Sequence, residues 1–460
     1  MSPGSAGDTG TGFHGFDTPQ IRTMAGHMKT ISPQAFGMHQ NLTSLLQEVQ
    51  GLMKGKPATT NHLLQPLVHQ VLSSAYRGVP FALRTQLDTT SMSLYRRCDH
   101  LDAVASLDQT GYTIDPGLEF ADEPPPDRAK IDASLGYFDD HIGDPDASQE
   151  ILSDFGDLTP AELDAVMSRM TDTQLQQLNA EIGKPPTPPD DDSANQQWEY
   201  LLLSTCGPET LARLQSQLTN LRWEPKPAPQ DVGDTEYEPV DLPLFDGPAD
   251  PATQMQMGGV GDCWFMASLA AVTEQDPDFP RNHIRQNANG TYTVTIYDES
   301  GMAHLVTVDN KLPSQDGSTV YTHAEDTGVL WPAIYEKAYA QYKGGYGNIE
   351  GGWGDQGMNA VTGQKAERHS PQDVSLDDVQ KRLAKGEAVT VGTTSRASKD
   401  PRMVGDHEYT VQSVNTKAHP PTVTVMNPWG AGAGKQHIVT LTQDEYRALC
   451  DEVSFTPQEV

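Results

Sequence analysis

The chain has 460 residues, enough for two or three domains, and carries 63 Asp plus Glu against 31 Lys plus Arg, a formal charge of −32. So acidic a surface repels polyanions and argues against nucleic acid or anionic membranes as partners. Its four cysteines do not make a disulfide framework, and no run of about 18 or more apolar residues predicts a membrane span.

In chain order, residues 1–17 are rich in Gly, Ser and Thr and read as a disordered tail without the basic and apolar regions of a signal peptide. From 18 to 112 the pattern predicts a helical domain: Leu42, Leu45, Leu46, Val49 and Leu52 recur at helical spacing, as do Leu63, Leu64, Leu67, Val68 and Val71. Residues 113–129, with Pro124-Pro125-Pro126, read as a linker, and 130–223 as a second helical region. There Thr159-Pro160-Ala161-Glu162 is a capping box with proline at the first helical position, and Lys184–Asp192 is an extended acidic, proline-rich break. Residues 224–250 read as a proline-rich acidic linker.

Residues 251–460 change character. A helix is expected after Cys263, then a hairpin of Tyr292–Tyr297 and Leu305–Val308 around Asp298-Glu299-Ser300-Gly301. Helices follow at about 331–342 and 376–383, and alternating strands at 388–393, 409–414, 422–426 and 437–441. Between them Gly344–Gly357 is glycine-rich and reads as a mobile, close-approach loop that walls a cleft.

Cys263 lies between Gly258-Gly259-Val260-Gly261-Asp262 and the apolar run Trp264–Val272, with Asp262 near the helix N-cap. A thiol there faces free backbone N–H groups and the positive end of a helix dipole, and both favour thiolate. A cysteine nucleophile needs a base, and the base needs an orienter. His407 opens one strand and Asn427 closes another. An asparagine carbonyl accepts the second ring proton of a histidine and fixes its tautomer, and Trp429 is placed to cover that bond. Each residue alone has an ordinary reading as a core thiol, a surface histidine or an Asn-Pro turn. Cys98, Cys206, Cys450, His283, His304 and His369 keep that reading.

Taken together, these stretches carry a resemblance. GGVGDCWFMASLA is similar to the cysteine motif of calpain-type, papain-like proteases, written QGxxGDCWxLA. DHEYTV resembles their GHAYSV histidine motif and MNPWG their RNPWG asparagine motif. Val308–Pro313 with Leu330–Ala340 resembles VDDRLP…FWxALLEKAYA, so the likeness runs from about 245 to 445. It implies an α+β fold: helical N-terminal domains, then a two-lobed protease core with a helical lobe and an antiparallel β lobe. It further implies a Cys263–His407–Asn427 triad, with Gly261, Gly352, Trp353 and Trp429 along the substrate cleft. Protein or peptide substrates follow, and calcium, which aligns the two lobes in many calpains, is a candidate cofactor whose ligands no motif maps.

The chain departs from the family where a glutamine six residues before the cysteine donates to the oxyanion hole. Met257 stands there, with Gln256 one place earlier. Either the loop shifts and Gln256 serves, or the Cys263 backbone N–H acts alone. The expected function is a calpain-like cysteine endopeptidase; the alternative is a catalytically impaired calpain-like module that binds peptides. Tyr95-Arg96-Arg97-Cys98-Asp99 contains Y-x-x-x-D after helices, which resembles the export signal of type VII secretion substrates. That reading makes the chain an exported bacterial effector, with the secretion machinery or a chaperone as partner; without it the chain is cytoplasmic.

Overall fold

The computed structural model describes residues 18–32, 79–115, 118, 123–144, 147–184, 193–432 and 436–457. The periodic runs at 42–53 and 63–72, the tail 1–17 and most of the acidic break before 193 lie outside them. The chain divides into two compact units, one of Met1–Asp140, Asp154–Thr171 and Cys206–Thr210, the other of His141–Ser153, Asp172–Thr205 and Leu211–Val460.

The first unit is helical where described. A helix over 18–32 is tied to Val79–Asp108 by Arg22, which bonds Asp99 at 2.6 Å and Asp102 at 2.7 Å. The Asp99 carboxylate of the Y-x-x-x-D motif is thus held by Arg22, and a Cβ on Gly26 would stand 3.4 Å from the Tyr95 hydroxyl. Both motif residues face the helix over 18–32. The helix Pro160–Arg169 begins in the expected capping box between Thr159 and Glu162. Buried Asp164 accepts from the backbone N–H groups of Asp115 and Gly207, at 2.7 and 2.9 Å, and so fastens two loops to that helix.

In the second unit the helices used below are α1 (Ser193–Thr205), α2 (Cys263–Gln275), α3 (Trp331–Lys343), α4 (Gly354–Thr362) and α5 (Leu376–Leu383). Its strands are β1 (Glu236–Pro239), β2 (Ile284–Gln286), β3 (Tyr292–Tyr297), β4 (Ala303–Val308), β5 (Lys311–Gln315), β6 (Ser318–Thr319), β7 (Glu367–His369), β8 (Val389–Thr393), β9 (Glu408–Asn415), β10 (Thr422–Met426), β11 (Ile438–Thr442) and β12 (Cys450–Phe455). A six-stranded antiparallel sheet runs β11-β10-β9-β8-β12-β7, and two small sheets run β2-β3-β4 and β1-β5-β6. The α+β architecture is therefore as the sequence predicts.

α2 is apolar on every side and buried almost throughout, which marks a helix enclosed by other elements. Phe265 stacks on Tyr339 of α3 with centroids 4.1 Å apart. A second core, from Val389, Val391, Tyr409, Val411, Val425, Val439 and Phe455, fills the large sheet. The segment 224–250 is laid along the unit rather than hanging free. β1 pairs antiparallel with β5, and wholly buried Lys337 bonds Glu224 and Asp309, each at 2.6 Å. α1 packs nearby: the Leu203 carbonyl accepts from Asn289 and from Thr291, at 2.8 and 2.9 Å.

The Gly344–Gly357 stretch is not an open loop. Tyr346 and Ile349 are buried, and α4 begins at Gly354. A Cβ on Gly352 would meet the Trp264 ring at 2.4 Å, and one on Gly357 would meet Ser268 at 2.5 Å. These glycines permit close packing onto α2, not mobility.

Candidate active site

Cys263 is the first residue of α2 and is half-buried, whereas Cys98, Cys206 and Cys450 are buried. Gly261 hands the chain into the helix; its carbonyl accepts from Gly351 N–H at 2.9 Å, joining the cysteine loop to the glycine segment. On the other side of that loop, Met257 N–H donates to Pro428 O at 2.9 Å, which ties it to the turn after Asn427.

His407 precedes β9 and Asn427 follows β10, neighbouring strands of the large sheet. His407 Nε2 lies 2.9 Å from Asn427 Oδ1, and both side chains are buried. The same Oδ1 accepts the Trp429 backbone N–H at 3.0 Å. That second donor identifies the atom as oxygen, so Nε2 carries the proton and Nδ1 is left as the basic nitrogen. The Trp429 ring lies against the imidazole with centroids 4.9 Å apart.

The Glu408 N–H, next to His407, and the Trp264 N–H both face the Cys263 sulfur. They favour thiolate, but burial is the larger effect and pushes the thiol up to about 12, with the acids Glu408 and Asp262 alongside. Burial likewise lowers His407 to about 4, against the opposing bond to Asn427. Desolvation thus opposes the thiolate that the helix terminus and the two N–H groups favour.

Asp262 does not cap α2 with its side chain. It is wholly buried and faces Glu336 of α3, which accepts from Thr322 N and Oγ1 at 3.0 and 2.8 Å. Burial raises both acids, Glu336 to about 7. The sequence signal for this pair was only that an aspartate stands next to the cysteine.

Gln256 Nε2 donates to Asp326 Oδ2 at 2.6 Å, which commits one of its two amide hydrogens and leaves one without a partner among the described residues. Met257 is buried in the core. Trp353 is 46% exposed, its ring capped by the Arg368 guanidinium at 4.5 Å, and Gly352 is pressed against Trp264. For calcium, the close group of acidic and imidazole side chains among the described residues is His141, Asp144 and Glu150. It lies outside the motif-bearing region and includes a nitrogen ligand, so it does not fit a hard cation that takes oxygen.

Residues 240–436 match the model of the calpain family cysteine proteases. Calpain-8 of Rattus norvegicus is 29% identical over 196 residues, 39% of this chain and 28% of its own length. The calpain-2 catalytic subunit of Bos taurus is 28% identical over 212 residues, 42% of this chain and 30% of its own, and calpain-8 of Homo sapiens 27% over 229 residues, 44% and 32%. The chain thus spans less than a third of the length of these relatives. Its residues 240–436 are a calpain-family cysteine protease domain, and the cysteine, histidine and asparagine described above all lie within it.

Proposed function

We propose that this chain is a cysteine endopeptidase whose nucleophile, base and orienter are Cys263, His407 and Asn427. The observation that carries the proposal is the 2.9 Å bond from His407 Nε2 to Asn427 Oδ1, beside a helix N-terminus bearing a half-buried thiol. His407 Nδ1 takes the thiol proton as sulfur bonds to the scissile carbonyl carbon, whose π electrons move to oxygen. The Cys263 N–H and the second amide hydrogen of Gln256 are assigned to that oxyanion. The intermediate collapses as the C–N bond breaks and His407 gives its proton to the leaving amine. Water, deprotonated by His407, then splits the thioester and restores the thiol. Burial of both groups favours moving the proton together with the attack. Exposed Trp353, with Gly261, Gly352 and Trp429, is assigned to the peptide cleft. No step is routed through calcium.

The test is turnover of casein by the purified chain, with and without calcium, beside Cys263→Ala. Cleavage by the native chain alone is expected; no cleavage under either condition would favour a peptide-binding module without catalysis, as the missing glutamine at Met257 suggests. Export by a type VII route remains a separate proposal for the first unit, and loss of secretion in Asp99→Ala but not in Arg22→Ala would support it, since both break the same ion pair.

A further inference from the structure

Behind the histidine strand lies a second pair of buried acids. Glu408 of β9 is 4% exposed and Glu452 of β12 is 3% exposed. A Cβ on Gly392 would stand 3.0 Å from both Glu408 Oε2 and Glu452 Oε1, so the two carboxyls sit side by side in the space that this glycine leaves open. Gly354, the first residue of α4, makes similar room, and its N–H donates to Glu452 Oε1 at 3.2 Å. Thr390 Oγ1 and Ser454 Oγ are buried in the same space, and the Thr390 hydroxyl faces Glu408 as a donor that favours its charged form, against the Glu452 carboxyl beside it.

The charged surroundings are few. Arg368 of β7 is 3.8 Å from Glu452 and equally far from Asp355 of α4. Asp451 of β12 adds a further acid, while Cys263 and Cys450 are the neighbouring thiols. One guanidinium therefore serves two acids, each at 3.8 Å, and neither is Glu408. Two adjacent carboxylates cannot both stay charged in such a place; one keeps a proton, which then bridges them.

We propose that Glu408 and Glu452 share one proton, and that the bridged pair is a positioning element which holds the His407–Glu408 backbone, with its N–H toward Cys263, against the start of α4. Its catalytic part rests on the protease reading above; its proton does not. The calpain-type histidine motif GHAYSV has alanine at this place, so the feature belongs to this chain. Burial raises both acids, in agreement.

The sign follows from linkage. Below about pH 4 folded and unfolded chains both hold the proton. At higher pH the unfolded chain releases it and the folded chain does not, so stability falls as pH rises toward the folded value. Glutamine has no such proton to lose. Thermal unfolding of the full chain should therefore show Glu408→Gln gaining on the native protein by about 2 °C per pH unit above about pH 5. This readout needs no substrate, so it stands or falls apart from the protease assignment. A difference that does not change with pH would overturn the shared proton, and so would calcium raising the melting temperature of the native chain but not of Glu408→Gln. If the chain cleaves casein, Glu408→Gln should turn over substrate about five- to tenfold faster than Glu408→Ala, since it keeps a donor between the strands; equal turnover in both would overturn the positioning role.

Discussion

Thr410 Oγ1 donates to the carbonyl of Ala267 at 2.8 Å, tying the strand that carries His407 to the helix that carries Cys263. The bond is wholly buried, so nothing in solvent replaces it. Thr410→Val keeps the shape and removes the donor. It should lower stability by about 1 kcal/mol, read by urea unfolding. Turnover should fall further than the small unfolded fraction accounts for, because the base shifts relative to the thiol. Unchanged stability and turnover would mean that packing alone sets the distance between strand and helix.

Removing the imidazole of His407 should reduce turnover by about 10²–10⁴ or more, since the general base and acid are lost together. Asn427→Ala removes only the acceptor that orients Nε2–H and should cost less. Steady-state kinetics on a fluorogenic peptide separate the two. A larger loss from Asn427→Ala than from His407→Ala would reverse the assigned roles.

Gln256 and Met257 make a sharper contrast than the sequence implied. If the free hydrogen of Gln256 reaches the oxyanion, Gln256→Ala costs about 10²–10³ in kcat. Met257→Gln does not restore a missing donor, because Met257 is buried in the core; it places an amide among apolar groups and should destabilise by about 1–3 kcal/mol. Higher turnover from Met257→Gln would show that the oxyanion hole lacks a donor at that position.

Burial of the Cys263 thiol has a pH signature. With Cys263 raised to about 12, its thiolate is a minor form at neutral pH and grows with each unit of pH. Alkylation of Cys263 by iodoacetamide should climb steadily through the neutral range, close to tenfold per unit. A plateau across the same range would mean that the ion pair with His407 is already formed at rest.

Much of the site was readable because its residues sit at element ends with plain local signals: an apolar helix after Cys263, an alternating strand after His407, an Asn-Pro turn at Asn427. The α5 boundaries at Leu376 and Leu383 were readable for the same reason. β12 was not foreseen. Its Asp451, Glu452 and Ser454 interrupt any apolar run, yet the strand lies between β7 and β8 in the large sheet, and Glu452 is buried by partners from distant segments. Nor was the tight packing of Gly352, Gly354 and Gly357 evident, since a glycine run reads alike whether it permits motion or close approach. The Asp262–Glu336 pair joins residues on two separate helices and leaves no local pattern.

The most direct measurement is the mapping of an epoxide inhibitor onto the four cysteines by mass spectrometry, in the native chain and in His407→Ala. A single adduct on Cys263 is expected, formed much more slowly once the base is gone, with Cys98, Cys206 and Cys450 protected by burial. Labelling of Cys263 at the same rate without His407, or equal labelling of all four thiols in the folded protein, would contradict it.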